Sequence, residues 1–174
     1  MFGYRGLHAV VLREGQEMTN AAPPTEDQMH QFTTQSGAGT IDVGRKLAEL
    51  LAPPQLLILR GDLGTGKTTL VKGIAQALDA ADPDEVTSPT FTLIQEYDGT
   101  RKGRPVKLFH LDVYRVEGER QLQTLGLDEL LTEDALVLVE WGEKFKSIRK
   151  KATGEISIAS TGGDARTIIV MLKG

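Results

Sequence analysis

Residues 61–70 read GDLGTGKTTL, in which Gly61, Gly66, Lys67 and Thr68 satisfy the pattern G-x-x-x-x-G-K-[ST]. The chemistry of that spacing is phosphate binding. Glycines let the backbone turn until successive N–H groups converge on phosphate oxygens, and a helix starting at the lysine points its positive end at the same anion. Lys67 would reach the β- and γ-phosphates, and Thr68 would offer its hydroxyl to a Mg²⁺ ion bridging them. The whole loop, Gly61, Asp62, Leu63, Gly64, Thr65, Gly66, Lys67, Thr68 and Thr69, is therefore the expected nucleotide cradle.

Such a loop needs a carboxylate near the metal and a second group to orient the attacking nucleophile. Glu140 closes the apolar run LVLVE, where a strand beside the P-loop strand would deliver it to the metal. A capping carboxylate is the plainer alternative. Asp112 closes KLFHLD and is the candidate for orienting water, although a hairpin reading leaves its strand at a sheet edge. Lys67, Asp112 and Glu140 form the expected catalytic set, with Thr68 and Glu140 on the metal. In VTSPTFTLIQEY, Thr90 is the hydroxyl best placed to sense γ-phosphate and Mg²⁺. Pro89 biases Ser88 to extended geometry, so an ordinary connector explains the same letters. His110 reads first as a structural histidine and Trp141 as core or wall. Arg115 serves equally as a phosphate-facing cation or as an ion-pair partner.

Several elements must position these groups. QLLILRG is a short apolar strand ending at Gly61, and TTLVKGIAQAL carries Leu70, Ile74 and Leu78 at helical spacing. The order is strand, glycine loop, helix. Before it, TIDVGRKLAELLAPP predicts a helix with Thr40 as N-cap, Asp42 in the first turn and a stop at Pro53-Pro54. FTLIQEY and KLFHLDVYR predict strands of a hairpin joined by a long turn-rich loop, DGTRKGRP. ALVLVEW predicts a central parallel strand covered on both faces, and EISIAS with RTIIVML a second hairpin around TGGDA. The fold class expected is α/β: a single P-loop NTPase domain over 31–174, with a mixed, largely parallel central sheet flanked by helices. Residues 1–30 carry little periodicity and end in the polar TNAAPPTEDQMHQ, which predicts a flexible N-terminal extension. Met18 and Met29 stand within it as alternative starts.

Composition narrows the classes. At 174 residues, with 40% hydrophobic and 25% charged residues, the chain fits one globular core. It has no cysteine, which removes disulfides, thiolate nucleophiles and cysteine zinc sites, and a cytoplasmic location with no membrane partner is expected. A net charge of −4 argues against a primarily nucleic-acid-binding surface. Neither of the basic clusters RKGRPVK and KFKSIRKK is interleaved with several aromatic residues, and both read as solvated loops or helix ends.

Taken together, GDLGTGKTTL, SPTFTLIQEY, HLDVYR, LGLDELL and LVEWGEKF closely resemble the bacterial TsaE family, ATPases required for tRNA threonylcarbamoyladenosine synthesis. The resemblance runs from about Thr40 to about Phe145, with a weaker trace in DARTIIV. It implies a compact P-loop fold, ATP and Mg²⁺ as ligands, and slow hydrolysis that supports a synthase pair, TsaD with TsaB, so that tRNA is engaged indirectly through that complex. By matching motif, Thr68 and Glu140 would be metal-side residues, Asp112 the residue associated with hydrolysis, and Ser88 to Phe91 a switch-like loop. Thr65 departs mildly from the alanine common there.

Other classes use the same loop. A small-molecule or nucleoside kinase would carry an arginine-bearing lid, and only RKGRP resembles one. A GTP-driven switch needs N-K-x-D, which does not occur.

Overall fold

The computed structural model describes residues 8–11 and 26–174. Its sheet has eight strands: β1 (His8–Val11), β2 (Gln28–Thr34), β3 (Gln55–Arg60), β4 (Ile94–Arg101), β5 (Arg104–Asp112), β6 (Ala135–Glu140), β7 (Gly154–Gly162) and β8 (Ala165–Leu172). Their spatial order is β1-β2-β8-β7-β3-β6-β5-β4. The central strands β7, β3, β6 and β5 run parallel, while β4, β8 and β2 pair antiparallel with their neighbours. β1 adds to β2 in parallel register. The boundary expected at residue 31 thus falls inside β2. Most of the expected extension, 1–7 and 12–25, lies outside the described residues.

Two apolar layers sandwich this sheet. Helices α1 (Gly37–Leu50) and α2 (Lys67–Ala77) cover one face, with Leu47, Leu70 and Ile74 fully buried against Leu57, Leu59, Leu136 and Leu138. The short helices α3 (Glu119–Gln123), α4 (Leu127–Leu130) and α5 (Lys146–Lys151) lie on the side of the second cluster, where Ile148 and Leu122 join Ile58, Val137 and Val139. Every residue of β6 is buried, as a strand covered on both faces requires. Backbones of α1 and α2 touch: a Cβ on Gly44 would stand 2.3 Å from the Leu70 carbonyl, and one on Gly73 would stand 2.0 Å from that of Ile41. No helix among the described residues is long and apolar enough to cross a membrane.

Three sequence expectations need correction. α1 begins earlier than Thr40, because Ser36 is the N-cap and its hydroxyl accepts from Gly39 N–H at 3.0 Å. Thr40 is instead buried inside the helix, bonded to the Ser36 carbonyl and to the Thr34 hydroxyl, and Asp42 leaves the first turn to pair with Arg45. The loop expected at DGTRKGRP is mostly strand: β4 and β5 pair continuously from Ile94–Leu111 to Arg101–Arg104 around Lys102 and Gly103. Both turn residues have positive φ, 49° and 76°, the pattern of a type I′ hairpin turn, whose twist matches its strands. Finally, β4 is the sheet edge and β5 is internal, pairing parallel with β6.

Candidate functional site

Strand β3 delivers the chain to the glycine loop at one end of the sheet. Thr65 closes this loop on itself, its N–H and its hydroxyl both meeting the Asp62 carbonyl at 3.2 and 2.8 Å. The next four residues start α2, and the backbone N–H groups of Gly66, Lys67, Thr68 and Thr69 meet no acceptor among the described residues. Unpaired donors at a helix N-terminus are the usual cradle of an anion. Lys67 is largely buried, and its ammonium donates to the carbonyls of Gly61 and, at 3.1 Å, Asp62. Those contacts hold the cation over the loop.

Carboxylates come from the neighbouring strands. Asp112 and Glu140 sit opposite one another at the ends of β5 and β6, in register, and both are about 95% buried. Asp112 accepts the Tyr114 N–H at 2.9 Å and faces the Thr90 hydroxyl at 3.4 Å, which in turn lies 2.8 Å from Ser88 Oγ. Glu140 Oε1 lies 2.8 Å from Nε2 of His110, a fully buried ring whose Nδ1 has no partner among the described residues. Nε2 is thus the ring nitrogen that engages the carboxylate.

Together these groups line a cleft of about 650 Å³, bounded by Gly64, Gly66, Lys67 and Thr68 on the loop side and by Thr90, Asp112 and Glu140 opposite. That volume falls within the range of small-ligand sites. Of the nine residues of the expected cradle, Leu63, Gly64, Gly66, Lys67, Thr68 and Thr69 line it, whereas Gly61, Asp62 and Thr65 form the turn behind it. No group of three or more His, Asp or Glu among the described residues could hold a metal ion. A divalent cation here would need oxygens from a ligand beside Thr68 and Glu140, the manner in which Mg²⁺ is ordinarily held at phosphates.

Residues that the sequence left open fall around the mouth. Trp141 has φ of 64°, packs against the Tyr114 ring at 5.0 Å and stands 5.8 Å from Lys67 Nζ. Arg115 also lines the cleft, its guanidinium stacked 4.6 Å over the Phe91 ring. Leu63, Phe91 and Tyr114 are 94%, 81% and 56% exposed, the large apolar residues most open to solvent among those described. One contact had no signal beyond the faint DARTIIV: Arg166 of β8 donates from Nε to the Thr65 carbonyl at 2.7 Å. Far apart in the chain, the two are joined only by the strand order.

A family model described as "Threonylcarbamoyl adenosine biosynthesis protein TsaE" matches residues 34–168. The chain belongs to the TsaE family. A TsaE of Nostoc sp. is 37% identical over 146 residues, covering 80% of this chain and 83% of that protein. A TsaE of Mycobacterium tuberculosis is 44% identical over 110 residues, covering 60% of this chain and 63% of its own length. Among solved structures, YdiB of Bacillus subtilis superposes with a TM-score of 0.61 at 30% identity, covering 87% of this chain and 90% of that one. The fold is thus the P-loop α/β fold of TsaE.

Proposed function

We propose that this TsaE chain binds ATP with Mg²⁺ in the cleft and hydrolyses it slowly, in support of a partner synthase that makes threonylcarbamoyladenosine in tRNA. The observation that carries the reading is the convergence of four free N–H groups, the Lys67 ammonium and two buried carboxylates on one cleft. The biosynthesis itself comes from the name of the matched family and its relatives.

In this reading the α2 N-terminus and Lys67 bind the phosphate chain, with Lys67 exchanging its loop carbonyls for phosphate oxygens. Thr68 and Glu140 would hold Mg²⁺, directly or through water, and the ion supplies charge neutralisation between the phosphates. Asp112, fixed by the Tyr114 N–H, orients a water. The water oxygen bonds to the γ-phosphorus as the bond to the β–γ bridging oxygen breaks, giving ADP and phosphate. Thr90 couples the loop before β4 to Asp112, so that loop position and water orientation change together.

A partner is expected from the rim. Arg115 is occupied by stacking on Phe91, so no described arginine is committed to the γ-phosphate, and completing the charge stabilisation falls to a docked protein. Exposed Leu63, Phe91 and Tyr114 offer that protein apolar contact at the mouth. TsaD with TsaB is the pair we assign to this role, with tRNA held through them. The kinase alternative loses its lid, because Lys102 and Gly103 are a tight turn.

Calorimetric titration with Mg·ATP tests the binding step. Wild-type protein should bind and Lys67→Ala should not, with both showing the same thermal transition. Equal binding by the two would remove the assignment.

A further inference from the structure

We infer that Arg166 is a positioning residue for phosphate binding, acting through the peptide that joins Thr65 to Gly66; this rests on the nucleotide-binding reading above. Arg166 Nε donates to the Thr65 carbonyl at 2.7 Å. That peptide is trans, since the cis bond among the described residues is Pro53-Pro54. In a trans peptide the carbonyl and the next N–H point in opposite directions. Holding Thr65 C=O against β8 therefore aims the Gly66 N–H away from β8, and this N–H is among the free donors at the head of α2.

The guanidinium is itself held before any ligand arrives. Its Nη1 meets the Gly163 carbonyl at 2.6 Å, the Ala165 carbonyl at 2.8 Å and Ser160 Oγ at 3.3 Å, all in or beside the β7–β8 turn. Arg166 thus clamps the glycine loop to the β7–β8 hairpin with its planar fork, which a single ammonium cannot reproduce. The clamp also places a positive charge behind the loop. It does not line the cleft, so its contribution is to orientation and field rather than to contact.

The test compares wild type, Arg166→Met, Arg166→Lys and Ser160→Ala in the full chain. Mg·ADP affinity is measured by calorimetry, the Gly66 amide by nitrogen-15 NMR and the fold by thermal unfolding. A misaimed Gly66 N–H weakens one hydrogen bond to the charged phosphate, which predicts about tenfold weaker Mg·ADP binding for Arg166→Met. Its Gly66 amide resonance should move in the free protein and respond less to ADP. Arg166→Lys should recover part of the affinity, and Ser160→Ala, which disturbs only the turn side, should bind as wild type does. Wild-type affinity in Arg166→Met, or an equal loss in Ser160→Ala, would overturn the inference while leaving nucleotide binding intact. Failure of the wild type to bind Mg·ADP would instead overturn the nucleotide reading, and this inference with it.

Discussion

His110 Nε2 stands 2.8 Å from Glu140 Oε1 inside the sheet, so the Glu140 carboxylate that lines the cleft is oriented from the neighbouring strand. Both groups are almost fully buried, and a buried carboxylate oxygen without a donor costs more than the bond itself contributes. His110→Leu should therefore destabilise the fold by about 1–3 kcal/mol. It should also lower turnover, because Glu140 loses its orientation. His110→Gln, which can present an amide N–H to the same oxygen, should restore turnover in part. Urea midpoints and phosphate release measure the two effects, and equal turnover in Leu and Gln variants would deny the orienting role.

The contact between α1 and α2 sets the position of the lysine-bearing helix. Gly73→Ala places a methyl 2.0 Å from the Ile41 carbonyl, where backbone must move. Overpacking of this kind costs about 1–3 kcal/mol. Thermal unfolding should show a lower midpoint for Gly73→Ala, with a smaller fall for Lys72→Ala on the same helix. Equal midpoints for Gly73→Ala and wild type would mean that the two helices separate without cost.

His30 gives the stability a pH dependence. It is buried in β2, neither ring nitrogen has a partner among the described residues, and burial lowers its pKa below the ordinary 6.5. The unfolded chain therefore binds a proton that the folded chain resists. This contribution is fully present above pH 6.5 and is lost as pH falls through the lowered folded value. Denaturant unfolding across this window should show stability falling toward acid. His30→Leu should flatten that slope, and an unchanged slope would exclude His30 as its source.

On the proposed function, the rim would contribute through a partner rather than through the chain alone. Phe91 is 81% exposed and carries the Arg115 guanidinium on its ring. Phe91→Ser should lower the partner-stimulated rate of phosphate release by a larger factor than the unstimulated rate. An equal reduction of both would place Phe91 in the nucleotide site instead.

Much of this was legible because local pattern and tertiary position agree. The strand, loop and helix around Gly61 to Lys67 follow from turn chemistry and apolar spacing, and the unbroken apolar run before Glu140 required a strand covered on both faces. Asp112 and Glu140 could be chosen singly, yet their register emerges only from the β5–β6 pairing. That β5 is internal followed from no local signal, since a hairpin fixes one neighbour and not the other. Thr40 misled because two hydroxyl residues compete for the cap and only Ser36 reaches the Gly39 N–H. Arg166 was invisible because a side chain bonding to a backbone carbonyl leaves no mark on the partner's residue type.

The central claim is that bound nucleotide is turned over for the benefit of another protein's reaction. The measurement that tests it most directly is phosphate release from ATP by the purified chain, alone and with TsaD, TsaB and tRNA, beside Lys67→Ala. Slow release that rises with the partners and vanishes in the variant is the expected result. Release indifferent to those partners, with ADP formed only when a small-molecule acceptor is added, would contradict it.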